Sequence, residues 1–278
     1  MSLQAAIARS ARLYLAGAAR RAALDRWYGR FVGPGELAFD LGAHVGDRAA
    51  CFARLGARVV ALEPQPALAR FLRRFVRGLL SRGDIRVVQA AAGAAPCRLV
   101  LHVNRANPTV STASAEFLRA ADRAAGWQGQ VWDGAIGVRA TSLGALIGKF
   151  GEPAFIKIDV EGFEAAVLAG LPRPVRALSA EFTTIQRDVA HACLDRLASL
   201  GYRHFNASLG ESLRFALPRP VDARTIRAWI ASLPDAANSG DIYAARQAWR
   251  LAPGFSRPAA GAGSRGRAPR AGRRSPPA

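Results

Sequence analysis

From Glu36 onward the chain alternates short apolar runs with longer helical stretches, and that alternation leaves few folds open. ELAFDLG reads as a strand, 47–56 as a helix, ARVVALEP as a strand, 66–82 as a helix and IRVVQAA as a strand. Further on, AFIKIDV (154–160) is a strand, EGFEAAVLAG a helix closed by Gly170, RALSAEF (176–182) a strand, and 186–200 a helix ended by Gly201. Strands that alternate with helices must pair in parallel, because each helix carries the chain back across the sheet. The expected class is α/β: an open, mostly parallel sheet with helices on both faces. Two late candidate strands, YRHFNAS (202–208) and GDIYAAR (240–246), flank a helical stretch around 222–233.

Residues 97–153 make a long excursion between the third and fourth sheet strands, containing NPTVSTASAEF, Trp127 and Trp132. Excursions of that length at a sheet's ends usually carry function. Residues 3–31 show apolar positions at helical spacing with Arg between them, so 1–34 reads as a helical segment packed outside the main core. Residues 35–250 form the expected main domain. From 251 to 278 the composition turns to Ala, Gly, Pro, Ser and Arg without periodicity, which predicts a disordered basic tail.

Composition narrows the function. The chain has 278 residues, half of them hydrophobic, enough to bury a sizeable core, and no uninterrupted apolar run that would span a bilayer. Three scattered cysteines without a C-x-x-C pair indicate neither a disulfide framework nor a zinc site. With no secretory-type apolar block in the Arg-bearing N-terminal stretch, a cytoplasmic location is expected. The formal charge is +19, yet only Lys149 and Lys157 among the 39 basic residues are lysines, a bias that points to a GC-rich bacterial genome. The charge is therefore read as a solvated surface, and no specific nucleic-acid partner is expected.

The segment that carries chemistry is Phe39-Asp40-Leu41-Gly42-Ala43-His44-Val45-Gly46-Asp47, where a strand turns into a helix. Gly42 and Gly46 would let a ligand approach the backbone, and the helix N-terminus offers free N–H donors. A dinucleotide G-x-G-x-x-G starting at Gly42 would need glycines where His44 and Asp47 stand, so an NAD site fails on spacing. Glu63 ends the next strand, where a carboxylate can accept both ribose hydroxyls. Asp40 would repel a diphosphate and suit a cationic amino-acid moiety. Together they point to S-adenosylmethionine.

FDLGAHVGD, VVALEPQPAL, VVQAAAG and FIKIDVEGFEAAVLAGL, in this order and spacing, closely resemble the FkbM family of S-adenosylmethionine-dependent methyltransferases over roughly residues 36–182. The resemblance implies a Rossmann-like class I methyltransferase fold with seven strands, the last reversed. It implies that Asp40, Gly42 and Gly46 contact the methionine part, Glu63 the ribose, and the Gln89-Ala90-Ala91 turn the adenine. The chain departs from the family at Ser142-Leu143-Gly144, where members commonly read T-L-D.

Lys157, Asp159 and Glu161 fall at i, i+2 and i+4, so a persisting strand would project all three to one face. Charged residues there would be costly without partners, and strand carboxyl ends are where open α/β sheets hold ligands. Asp159 is the candidate base, Glu161 the residue that binds or orients the acceptor, and Lys157 either a participant or an ion-pair partner. Glu181 ends the following strand, but with Asp159 it makes only two carboxylates, and no metal is expected. Thr109, Ser111, Thr112 and Ser114 could bind a polyol or serve turns and caps, and Trp127 and Trp132 could stack on a ring or fill the excursion's own core. His44 is expected to serve loop packing. The expected activity is O-methylation of a small molecule or glycan; the rivals are a nucleic-acid methyltransferase and a basic partner-binding module.

Overall fold

A computed structural model describes residues 2–79 and 84–252. The basic tail expected from 251 onward lies outside the described residues except for Leu251 and Ala252; Leu251 is fully buried. Two helices, α1 (Leu3–Leu15) and α2 (Ala18–Tyr28), precede strand β1 (Leu37–Leu41). Then come α3 (Asp47–Arg54), β2 (Arg58–Leu62), α4 (Pro66–Leu79), β3 (Ile85–Val88) and β4 (Ala91–Gly93). The excursion holds β5 (Cys97–Val103), α5 (Ala115–Arg123), β6 (Gly134–Ser142) and α6 (Leu143–Phe150). The second half runs β7 (Phe155–Ile158), α7 (Glu164–Ala169), β8 (Ala177–Thr183), α8 (Arg187–Ser199), β9 (His204–Leu209), α9 (Ala223–Ser232) and β10 (Ser239–Ala245).

Seven strands form the main sheet in the order β3-β2-β1-β7-β8-β10-β9, with β10 antiparallel to both neighbours. Alternation along each strand divides the core. Phe39, Leu41, Ile156, Ile158, Leu178 and Ile242 pack beneath α6, α7, α8 and α9. Ala38, Val59, Phe155, Ala177 and Tyr243 face the opposite layer of α2, α3 and α4. Helix α2 belongs to that layer rather than lying outside it. Trp27 Nε1 donates to Tyr243 Oη at 2.9 Å, and Phe31, just after the helix, stacks on Phe155 at 4.7 Å. Only α1 is peripheral, resting Ile7 on Val45 and Leu68.

The excursion is not strand-free. Its β5 and β6 pair antiparallel over seven positions and β6 continues parallel to β4, giving a second sheet in the order β4-β6-β5 around Leu101, Val103, Val138 and Ala140. Ser142 caps α6 by accepting from Ala145 N at 3.2 Å, so the cap does not depend on position 144. Gly144 sits in the first turn of α6 with its N–H donating to Gly170 O.

Candidate active site

The carboxyl ends of β1, β2, β7 and β8, together with the amino end of the reversed β10, open onto one cavity of about 360 Å³. Eight of the chain's 20 acidic residues line it, against Arg48 and Lys157 as the cations among the described residues. The cavity is thus lined mainly by carboxyl groups in a strongly basic protein, a donor set suited to a cationic ligand.

At one end stands Asp40, only 3% exposed, with Oδ2 buried and without a partner. Burial, with the nearby Asp47 charge, pushes its carboxyl up to about 7. A buried carboxylate oxygen without a donor fits an incoming ammonium. Gly42, at φ +81°, lines the wall, and a Cβ there would lie 1.7 Å from the Asp159 carbonyl oxygen. Gly42 is therefore required first by the close approach of β7's end to the loop. Gly46 is not on the cavity wall; a Cβ there would meet Leu72 Cδ1 at 2.4 Å, so its role is to seat α3 against α4.

Glu63 receives two backbone donors, His44 N on Oε2 at 3.0 Å and Gln65 N on Oε1 at 2.8 Å. Burial nevertheless pushes its carboxyl up to about 8, with those two N–H groups opposing. The carboxyl is fixed in orientation on the cavity wall, where each oxygen retains capacity for a ligand hydroxyl. Ala90 and Ala91 also line the cavity, whereas Gln89 is exposed and its Oε1 accepts from Arg73 at 3.4 Å. His44 adopts φ +49°, meets the Tyr14 ring at nearly a right angle and stands 3.5 Å from Thr109 Oγ1; burial lowers its imidazole to about 4 and leaves it neutral.

The other end is built by strand register. Asp40 pairs with Lys157 across β1 and β7, Lys157 with Ser179 across β7 and β8, and Glu181 with Asp241 across β8 and β10. The small Ser179 leaves room for Lys157 to reach diagonally, so that Nζ lies 2.6 Å from Asp241 Oδ1 and 3.1 Å from Asp159 Oδ2. Burial opposes the ammonium, but the two carboxylates hold its pKa well above the ordinary lysine value. Burial likewise opposes ionisation of Asp159, yet Lys157 and a hydrogen bond with Glu181 hold it below the ordinary range. Glu181 goes the other way: burial and the charges of Asp159 and Glu161 push it well up, and its Oε2 is buried without a partner. Of the two, Asp159 is the carboxyl favoured to ionise and Glu181 the one favoured to keep its proton.

The strand does not persist to Glu161. It ends at Ile158, and Glu161 (φ +56°) and Gly162 (φ +84°) turn through left-handed backbone. That turn still brings carboxylate oxygens of Asp159, Glu161 and Glu181 within 4.8 Å of one another. The three could offer oxygens to a divalent cation, but Lys157 already supplies a positive charge to Asp159. Asp241, Arg48 and Glu211 escape the sequence reading, and Asp47, though within the quoted motif, receives no role there. Arg48 pairs with Asp47 and reaches Glu211 at 2.7 Å, closing one wall from the loop after β9. Asp241 had a visible signal, an acid directly before the apolar run Ile242–Ala245 of GDIYAAR. Of the excursion's hydroxyls, Thr109 and Ser111 line the cavity and Thr112 and Ser114 do not; Ser114 caps α5. Trp127 is on the wall, while Trp132 donates to Val110 O at 2.8 Å from behind it.

The methyltransferase FkbM domain matches residues 40–204. The fold and the cavity at the strand ends are those of a Rossmann-like methyltransferase. The chain belongs to the FkbM methyltransferase family, and S-adenosylmethionine is its cofactor. No curated protein matches the sequence significantly. Similar solved structures include an O-methyltransferase from Bacillus cereus in complex with SAH (13% identity, 87% of each chain, TM-score 0.44). Others are a precorrin-6y C5,15-methyltransferase from Geobacter metallireducens (14%, 82% of this chain and 87% of that one, 0.40) and a putative rRNA-methylase from Clostridium thermocellum (8%, 81% and 94%, 0.42).

Proposed function

We propose that the protein methylates a hydroxyl oxygen on a small molecule or glycan, with Asp159 as the base. The observation that carries this reading is the Asp159 carboxyl, 3.1 Å from the Lys157 ammonium and facing the same cavity as Asp40 and Glu63. Asp40, Gly42, Glu63, Ala90 and Ala91 are the residues that hold the cofactor. When bound, the cofactor supplies a methyl group already activated on sulfonium. The chain's own task is to place the acceptor oxygen in line with that methyl and to remove its proton. Asp159, one-third exposed toward the cavity, takes the proton; Glu161 holds and orients the acceptor. Lys157 is bound between two carboxylates, so its role is to keep Asp159 ionised rather than to exchange a proton with the acceptor.

A base-amine acceptor fits less well. In the Asn107-Pro108-Thr109-Val110 turn the Pro108 and Val110 carbonyls already accept from Gln65 and Trp132, leaving them engaged by the protein. The 97–153 excursion, which supplies Thr109, Ser111 and Trp127, is the segment that selects the acceptor. The test is transfer of isotopically labelled methyl from S-adenosylmethionine to neutral sugars, polyols and phenols, with mass spectrometry of the product. Label on oxygen in the wild type and none with Asp159→Asn supports the reading; label on nitrogen or on nucleic acid overturns it.

A further inference from the structure

Thr112 is fully buried and contributes nothing to the cavity wall, yet it makes one of the shorter hydrogen bonds near the site. Its Oγ1 donates to the Glu161 carbonyl at 2.5 Å and accepts from Ser114 N at 2.8 Å, which orients the hydroxyl proton toward Glu161. Thr112 itself is held by a two-way backbone bridge to His102 on β5. A glutamate at φ +56° lacks glycine's freedom and persists there only when its surroundings hold it. Gly162 completes the turn under the same segment: a Cβ there would meet Phe117 Cδ2 at 2.7 Å and Gln186 Oε1 at 2.3 Å. The excursion therefore grips the turn after β7 at two successive residues, through Thr112 and through Phe117.

We propose that Thr112 is a positioning residue whose hydroxyl pins the left-handed turn and so sets where the Glu161 carboxyl stands relative to Asp159 and Glu181. The excursion that meets the acceptor and the carboxyl that orients it then move as one unit, an assignment of purpose that rests on the methyltransferase reading above. Without the hydroxyl, Glu161 is released to ordinary backbone and its carboxyl leaves the cluster. The groups that face it are Asp159 and Lys157 from β7 and its end, Glu164 from α7 and Glu181 from β8, and all of them bear on its titration.

The experiment is a ¹³C carboxyl titration of Glu161 in wild type, Thr112→Val and Thr112→Ser, with S-adenosylhomocysteine affinity measured on each by calorimetry. In the wild type the Glu161 midpoint stands above the ordinary glutamate value. Thr112→Val returns it toward that value, Thr112→Ser keeps it near wild type, and cofactor-product affinity stays within about twofold, because Asp40 and Glu63 are untouched. A folded Thr112→Val with an unmoved midpoint overturns the proposal, as does a Thr112→Ser that behaves like Thr112→Val. Should Thr112→Val not fold, Thr112→Ala is titrated in its place, and a folded Thr112→Ala with an unmoved midpoint overturns the proposal. Failure of the wild type to bind S-adenosylhomocysteine would count against the methyltransferase reading instead and would leave the titration result standing.

Discussion

Lys157 Nζ lies 2.6 Å from Asp241 Oδ1 although 84 positions separate the two residues and strand β8 runs between theirs. The contact exists because β10 enters the sheet reversed, so the start of that strand meets the carboxyl ends of its neighbours. A cation fixed between Asp241 and Asp159 favours the charged form of the half-buried Asp159 carboxyl on the cavity wall.

Replacing Lys157 by Met should expose that dependence. With a buried pair broken, stability should fall by about 3–5 kcal/mol in denaturant unfolding. The acidic limb of the pH–rate profile should move to higher pH, because the charge that depresses Asp159 is gone. Asp241→Asn should move the limb the opposite way, to lower pH, because a carboxylate that repels Asp159 and shares its cation is removed; an unmoved limb in both variants contradicts the role assigned to Lys157.

Asp159→Asn preserves shape and removes the base. Turnover should drop by roughly 10²–10⁴-fold, the usual contribution of a positioned general base. Calorimetry with S-adenosylhomocysteine should show nearly unchanged affinity, and a variant that turns over normally would remove Asp159 from the mechanism.

Glu63 predicts a pH dependence of the ligand-free protein. Its carboxyl titrates near 8 when folded against an ordinary value of 4.5, so between those pH values the folded state binds a proton that the unfolded chain has released. Stability should then be fully present at low pH and decline as pH rises through that window, by at most about 1.4 kcal/mol per pH unit for this one proton. Glu63→Gln should flatten the decline in a Tm series from pH 5 to 8 and weaken S-adenosylhomocysteine binding about tenfold or more. A decline of identical steepness in the variant argues against this carboxyl as its source.

Two glycines should respond in opposite ways. Gly42→Ala places a methyl against the Asp159 carbonyl and should abolish cofactor binding or folding. Gly144→Ala meets only ordinary contacts, the nearest being Gly170 O at 3.5 Å, and should raise stability by up to about 1 kcal/mol with cofactor affinity unchanged. A loss of affinity in Gly144→Ala would place that position in the site after all.

Much of the architecture was readable because buried parallel strands are continuous apolar runs and helices announce their ends. LAFDL, RVVAL, FIKI and ALSAEFT all form strands close to where patterning puts them. The excursion's strands escaped notice because their apolar content is diluted: GAIGVRATS alternates exposed and covered positions and is rich in small residues. Period-two extension carried Glu161 to the right neighbourhood by the wrong route, since the chain leaves the strand at Ile158 and returns through a left-handed turn. The family resemblance implies the Gln89-Ala90-Ala91 turn at the adenine, but the Gln89 side chain is exposed and meets Arg73.

Local patterning alone defined the α/β class, the phosphate-free loop at Asp40–Asp47 and the placement of Glu63 and Asp159 at strand ends, since each follows from neighbours within a few residues. The partner of Lys157, the hold of Thr112 on Glu161 and the burial that raises Glu63 and Glu181 were decided by the folded chain. They depend on strand order, register and exclusion of water, which arise only when segments tens of residues apart pack together.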